Sequence, residues 1–406
     1  MDIRTRFGLR PVINASGTMT SLGASIVRAP VIEAVAQILP EFVEIDDLQR
    51  KASAVIAQAC GSEAGYITAS CSAAITLSLA ATMTGDNLGL IERLPDTAGL
   101  RNEVVIQTGQ LVNYGAPVDQ AIRLAGARVV PVGAATEAHG YQLANAINER
   151  TTAALYVVSH HAVQYGLIPF EEFIAVAHAQ GVPVIVDAAS EYDLKRFIAA
   201  GADLALYSAH KFLGGLTAGI VAGRKELVRA AYFQNGGIGR GMKVGKEGIV
   251  GAMAALEQWQ ARDHAALRAR EHAYLTLWRD TLNGRAGVRA ELDADPTGNP
   301  LERLKLQIDP HKARTTAWDL ADALAHPPAG AAPVPNSISS SSIRATCIPA
   351  KNRWCWRGSW PNSSGRKPRL SRSSRRSTSA TRAVWRVVAT GRTEQQEAAS
   401  AAEKPH

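Results

Sequence analysis

Cysteine is scarce in this chain. There are four in 406 residues (Cys60, Cys71, Cys347 and Cys355), at spacings that suit neither a metal site nor a disulfide framework. No apolar run approaches the roughly 20 residues of a membrane span, and the opening MDIRTRFGLR has no apolar signal core. These absences argue against a secreted, disulfide-stapled or membrane-embedded protein, and a reduced, cytoplasmic one is expected. Acidic residues are missing from one region in particular. Between residues 326 and 390 there are 12 Lys or Arg, 13 Ser and four of the seven Trp, but no Asp or Glu. The stretch 326–406 carries a net +11, which leaves residues 1–325 at −3 within the chain's formal +8. The high pI therefore describes the tail; the front part has the mild acidity of many metabolic enzymes, and a nucleic-acid partner is not expected of it.

Residues 46–255 alternate strand and helix signals, the pattern of an α/β domain with a mostly parallel sheet. Apolar runs end at EVVIQT (103–108), ARVVPV (127–132), ALYVVSHH (154–161), VPVIVDAA (182–189) and ADLALYSAHK (202–211), with helical patterns between them. After the last of these, LTAGIVAGRKELV predicts a turn back into the sheet with an antiparallel strand. Ligands of such sheets sit at the carboxyl ends of the strands.

Two of those strand ends carry unusual residues. Asp187 closes one run, and Lys211 follows 24 positions later at the end of another. An acid and a lysine so placed are what pyridoxal 5′-phosphate (PLP) chemistry requires. The lysine holds the cofactor aldehyde as a Schiff base, and the acid keeps the pyridine nitrogen protonated so that the ring accepts electrons. Most lysines are solvated surface charges, but Lys211 follows an apolar strand and precedes Phe212-Leu213-Gly214-Gly215. Asp187 read alone is equally a helix N-cap. Ser70-Cys71-Ser72-Ala73 opens the helical run SAAITLSLAATM. Its small side chains and unpaired N–H groups form a phosphate cradle, although an N-cap serine on a core helix has the same pattern. Ser208 is a second phosphate ligand candidate. His210, His160 and His161 are acid/base candidates, one of the latter two being structural. Gln110 stands where a residue covering the ring face is expected, with His161 and Tyr114 as alternatives.

Five segments in order resemble the selenocysteine-synthase-like branch of fold-type I PLP enzymes, which also holds D-glucosaminate-6-phosphate ammonia-lyase. They are VINASGTMTSLG (12–23), SHHAVQYG (159–166), VIVDAASEYDL (184–194), YSAHKFLGG (207–215) and IGRGMKVGKEGIVG (238–251). The resemblance covers roughly residues 8–280. It implies a homodimer or larger ring with sites at subunit interfaces, Lys211 as the Schiff-base lysine and Asp187 at the pyridine nitrogen. It also brings Asn14, Ser16, Thr18 and Thr20 towards the substrate. Arg240 and Lys243, with Lys246, form a basic Gly-rich loop able to grip a carboxylate or phosphate. Selenocysteine synthase carries an additional N-terminal region for tRNA, whereas VINASG begins here at residue 12, so a small-molecule amino substrate is expected. The expected reaction is Cα-proton abstraction and β-elimination to an oxo acid and ammonia; β-replacement, transamination and racemisation share its early steps.

The organisation expected is an arm over 1–45, a large PLP-binding domain over 46–255, a linker helix and the start of a small, truncated domain over 256–325, and an anomalous tail over 326–406. Three readings of that tail stay open: a basic nucleic-acid-binding arm, a small domain of unusual composition, or out-of-frame translation of a G+C-rich gene, which would leave an inactive product. The third is favoured because LERLKLQIDPHKARTTAWDLADALA (301–325) is well patterned and the pattern then stops. Isolated tryptophans in a Ser/Arg background have no period that would bury them. The expected outcome is an absence of hydrogen-exchange protection across 340–390; protected amides there would overturn this expectation.

Overall fold

A computed structural model describes residues 2–10, 12, 14, 16–325 and 345–347. They divide into two compact units, one built on residues 18–263 with 296–300, the other on the described parts of 1–17, 264–295 and 301–406.

The larger unit holds a seven-stranded sheet. Its strands are β1 (Ala64–Thr68), β2 (Glu103–Gln107), β3 (Arg128–Val132), β4 (Thr151–Val157), β5 (Val184–Asp187), β6 (Leu204–Ser208) and β7 (Gly219–Gly223). They lie in the order β1-β7-β6-β5-β4-β2-β3, and only β7 runs antiparallel to its neighbours. The interior strands are buried on both faces, which explains why they read as unbroken apolar runs. The antiparallel turn-back expected after Lys211 is β7. Parallel order puts the carboxyl ends of β4, β5 and β6 on one rim, so Asp187 and Ser208 finish adjacent strands there.

The helix Cys71–Thr84 is the core of this unit. Twelve of its 14 residues are buried, and its Ala, Ser and Thr side chains let it pack closely on every side. Thr76 Oγ1 donates to the Ala121 carbonyl at 2.9 Å and Thr84 Oγ1 to that of Ala80 at 3.1 Å, so these hydroxyls do not enter the core unpaired.

Glutamines close the sheet where another strand would otherwise be needed. β1 is an edge strand, and Gln49, on the helix Ile45–Cys60, pairs with Ile67 as a neighbouring strand would. Its Nε2 donates to the Ile67 carbonyl at 2.7 Å, and its Oε1 accepts the Ile67 N–H at 2.9 Å. This blocks the free edge against pairing with another chain. At the end of the interior strand β2, Gln107 likewise pairs with the loop residue Ile168, accepting its N–H at 2.7 Å.

In the smaller unit, β8 (Val288–Ala294) pairs antiparallel with β9 (Glu302–Ile308), and β10 (Ala345–Cys347) lies parallel to β9. The helix His264–Asn283 places Leu275, Trp278 and Leu282 against Ala290, Leu304 and Leu306. Of the tail 326–406, only β10 falls within the described residues; it is a strand in a region where none was expected, and the rest of that expectation lies outside them. Among the described residues no helix is long and apolar enough to cross a membrane.

Gln49→Leu would leave both polar groups of Ile67 buried and unpaired. The expected cost is about 3 kcal/mol of unfolding free energy, measured by urea denaturation against Gln49→Glu, which retains one acceptor.

Candidate active site

The site forms where the amino end of the helix Cys71–Thr84 meets the strand rim. Ser70 caps that helix in extended conformation, its Oγ accepting the Ala73 N–H at 3.1 Å, while the Ala74 N–H reaches the Ser70 carbonyl at 2.9 Å. The Cys71 and Ser72 N–H groups are left at the positive end of the helix dipole. Gly219 makes this placement possible: a Cβ there would lie 2.2 Å from the Ser70 oxygen and 2.8 Å from the Cys71 nitrogen. Thr68 and Ser208 pair in register with Gly219 from either side and so share its face. Thr68 Oγ1 is buried and has no hydrogen-bond partner.

Asp187 is 6% exposed. Its Oδ1 accepts the Cys71 thiol at 3.5 Å and the Ala189 N–H at 3.2 Å. Burial holds its carboxyl above the usual carboxylate range, an effect that the nearby Lys211 ammonium and the two hydrogen bonds oppose. Burial, then the Asp187 charge, pushes the Cys71 thiol well up. Lys211 is half-buried on a turn fixed by three backbone bonds, Lys211 N–H to Ser208 at 3.3 Å, Gly214 N–H to Lys211 at 3.1 Å and Gly215 N–H to Ala209 at 2.9 Å. His210 Nδ1 lies 3.1 Å from Ser208 Oγ, and its Nε2 is buried without a partner. Burial, then the Lys211 charge, lowers the His210 pKa, which keeps the ring neutral near neutral pH.

Several residues go elsewhere. Gln110 is buried, its Oε1 accepting the Val157 N–H at 3.0 Å, so its carbonyl belongs to the framework. Asn14 and Ser16 form a local turn, Asn14 Nδ2 donating to Gly17 at 2.7 Å and Oδ1 accepting the Ser16 N–H at 2.9 Å. Thr18 is buried, whereas Thr20, Arg240 and Lys243 are exposed; Lys246 donates to the Glu41 carbonyl. The His160 and His161 rings lie with centroids 4.2 Å apart, tilted by 38°, His161 being the exposed one.

Two contacts escape sequence reasoning. The Tyr114 phenol meets Ser72 Oγ at 2.9 Å and feels the charge of Asp187, so it stands beside the cradle. Ser25 Oγ donates to the His210 carbonyl at 2.6 Å, and the Arg28 N–H to that of Gly214 at 3.2 Å, bracing both ends of the lysine turn. Neither has a periodic signal; the Tyr114 partner is 42 positions away and the Ser25 partner 185.

The donor set fits PLP. Free N–H groups and an unpartnered Thr68 hydroxyl suit a phosphate. A buried carboxyl that is costly to ionise alone suits a pyridinium N–H, and Lys211 is the amine beside it. Fold and site together define a fold-type I PLP-dependent enzyme. A family model described as L-seryl-tRNA selenium transferase matches residues 12–297, and the chain belongs to that family. It is 40% identical over 319 residues to the D-glucosaminate-6-phosphate ammonia lyase of Salmonella typhimurium (strain 14028s / SGSC 2262), covering 79% of this chain and 85% of that protein. It is 37% identical over 317 residues to the 5′-C-glycyluridine monooxygenase-decarboxylase of a Streptomyces species, covering 78% and 79%. A solved structure of D-glucosaminate-6-phosphate ammonia-lyase superposes with a TM-score of 0.72 at 39% identity, over 80% of this chain and 87% of that one.

Asp187 should cost the cofactor-free protein stability. Its folded pKa is raised above the ordinary 3.8, so between those two values the native state binds more protons than the unfolded one. Stability therefore falls as pH rises through that window. Asp187→Asn is expected to melt higher than wild type at pH 7, with the gap narrowing as pH is lowered, in thermal melts of both cofactor-free proteins.

Proposed function

We propose that this chain is a PLP-dependent ammonia-lyase acting on an amino sugar acid of the D-glucosaminate 6-phosphate class, or on a small amino acid with a β-hydroxyl. The observation that carries this reading is the Asp187–Lys211 pair set against a helix amino end, in a chain 40% identical to such a lyase over most of its length. When bound, PLP supplies a carbonyl for the substrate amine and a ring that accepts the electron pair left at Cα.

The residues divide the remaining work. The backbone at Ser70, Cys71, Ser72 and Ala73, with the Ser208 hydroxyl, holds the phosphate. Asp187 keeps a proton on the ring nitrogen. Lys211 Nζ would anchor the cofactor and, as a free amine, would take the proton from the substrate Cα. Departure of the β-hydroxyl as water, followed by hydrolysis of the resulting enamine, converts a 2-amino-3-hydroxy acid into a 2-oxo-3-deoxy acid and ammonia. The water released in the first step balances the water consumed in the second. Neutral His210 relays protons beside Lys211. Tyr114 or His161 covers the ring face, in place of Gln110. Asn14, Ser16, Thr18, Arg240 and Lys243 are assigned to the substrate. The arm over 1–45 and the linker helix and start of the small domain over 256–325 are assigned to the same enzyme. It acts in the cytoplasm as a homodimer or larger ring. Ile26, Ile32, Leu39 and Phe42, apolar and more than half exposed in one chain, favour burial against a second copy.

Purified protein supplied with PLP is expected to show a visible band that borohydride removes, and to release ammonia and an oxo acid from D-glucosaminate 6-phosphate. Lys211→Ala should lose the band and at least about 10²–10⁴-fold of the rate. A wild-type protein that stays colourless with added PLP, or that binds PLP but deaminates no β-hydroxy amino acid, would sink the reading.

A further inference from the structure

Among the described residues, both hydrogen bonds to Asp187 fall on the same oxygen. Oδ1 takes the Ala189 N–H and the Cys71 thiol, which leaves Oδ2 unengaged. Cys71 is the first residue of the helix whose amino end forms the phosphate cradle, so one residue touches both halves of the site. Its backbone packs over Gly219, and its side chain crosses to the end of β5. Cys71 is itself 8% exposed, and its thiol belongs to no disulfide.

We propose that Cys71 is a positioning residue for the ring-nitrogen carboxylate: its thiol fixes Oδ1, so that Asp187 presents Oδ2 to the cofactor. This rests on the PLP reading above and adds a role for a side chain whose backbone alone was assigned there. The chemistry favours a thiol in this place. A backbone N–H on Oδ1 defines one contact but not the plane of the carboxylate, and a second donor on the same atom restricts its rotation. A thiol is a weak donor and takes little negative charge from Oδ2, so the free oxygen keeps its affinity for an N–H⁺ group. The apolar surroundings keep the thiol protonated, the only state in which it can donate. Besides burial, the groups that enter the titration of Asp187 are Lys211, the Cys71 thiol and the Ala189 N–H; the Tyr114 phenol also faces it.

Three substitutions separate positioning from packing. Cys71→Ala and Cys71→Val remove the donor, Val keeping most of the volume, and Cys71→Ser keeps a donor. The Asp187 carboxyl is followed by infrared difference spectroscopy of cofactor-free protein labelled with ¹³C-aspartate, with Asp187→Asn as the blank. Because the thiol bond lowers the carboxyl pKa, its loss should move the titration midpoint upward in Cys71→Ala and Cys71→Val and leave it near the wild-type value in Cys71→Ser. PLP affinity should fall about tenfold in the first two and little in the third. An unmoved midpoint in Cys71→Val, or a Cys71→Ser protein as impaired as Cys71→Val, would overturn the proposal. A wild-type protein that binds no PLP would sink the proposed function instead; the carboxyl titration decides the role of Cys71 without cofactor.

Discussion

The contact between Asp187 and its few donors is the constraint around which this site is organised. A carboxylate taken almost wholly out of water is expensive unless it is paired or hydrogen-bonded. Here it receives one backbone N–H, one thiol and the field of a half-buried lysine, which is less than full compensation, and its pKa stays raised. A structural aspartate in the same chain shows the contrast. Asp203, also buried, accepts the Val184 N–H at 2.7 Å, Arg224 at 2.9 Å and a His178 ring nitrogen at 2.8 Å. The carboxylate that serves the framework is saturated with donors, and the one at the strand rim is left short of them. A buried carboxylate short of donors is one that a cationic ligand can stabilise.

The same division between framework and site runs through the glutamines. Gln49, Gln107 and Gln110 each use side-chain amides to satisfy backbone groups that no strand or helix reaches. Two of them sit at the carboxyl end of β2, on the rim where the strands of Asp187 and Ser208 also end, and their carbonyls are committed to Ile168 and Val157. Loops around the rim are thereby fixed without using the N–H groups at Cys71 and Ser72. Rigid support of this kind matters in a site whose reacting groups come from four separate segments.

Much of this was legible in the sequence. Asp187 and Lys211 terminate apolar runs long enough to be buried parallel strands, and the order of runs and helices dictates that their ends share a rim. Ser70 was legible as a cap because a small polar residue before an apolar helix has few other uses. Gln110 shows the limit. A polar residue just past a strand end reads as a ligand contact, but the unpaired N–H of Val157, 47 positions on, is visible only in three dimensions. The bond of Tyr114 to Ser72 and that of Ser25 to His210 were hidden for the same reason, although Tyr114 itself was legible as a candidate for the ring face. Single side chains bonded across long separations leave no periodicity, and periodicity is what makes a sequence readable.

The bracing of the lysine turn ties reaction control to a segment far from the cofactor groups. Ser25 holds the carbonyl of His210, and Arg28 holds that of Gly214, whose positive φ of 71° favours glycine. Just before Ser25, buried Ala24 adopts φ 59°, a left-handed conformation that costs a non-glycine residue about 1 kcal/mol. A strained, buried residue persists when its neighbours over-determine it, and here the neighbours are the two bonds that fix the lysine. The segment that carries Ser25 also carries the exposed apolar residues Ile26 and Ile32. One short segment therefore combines a left-handed buried alanine, two bonds to the Lys211 turn and an exposed apolar face, so a change at any of the three is felt by the other two.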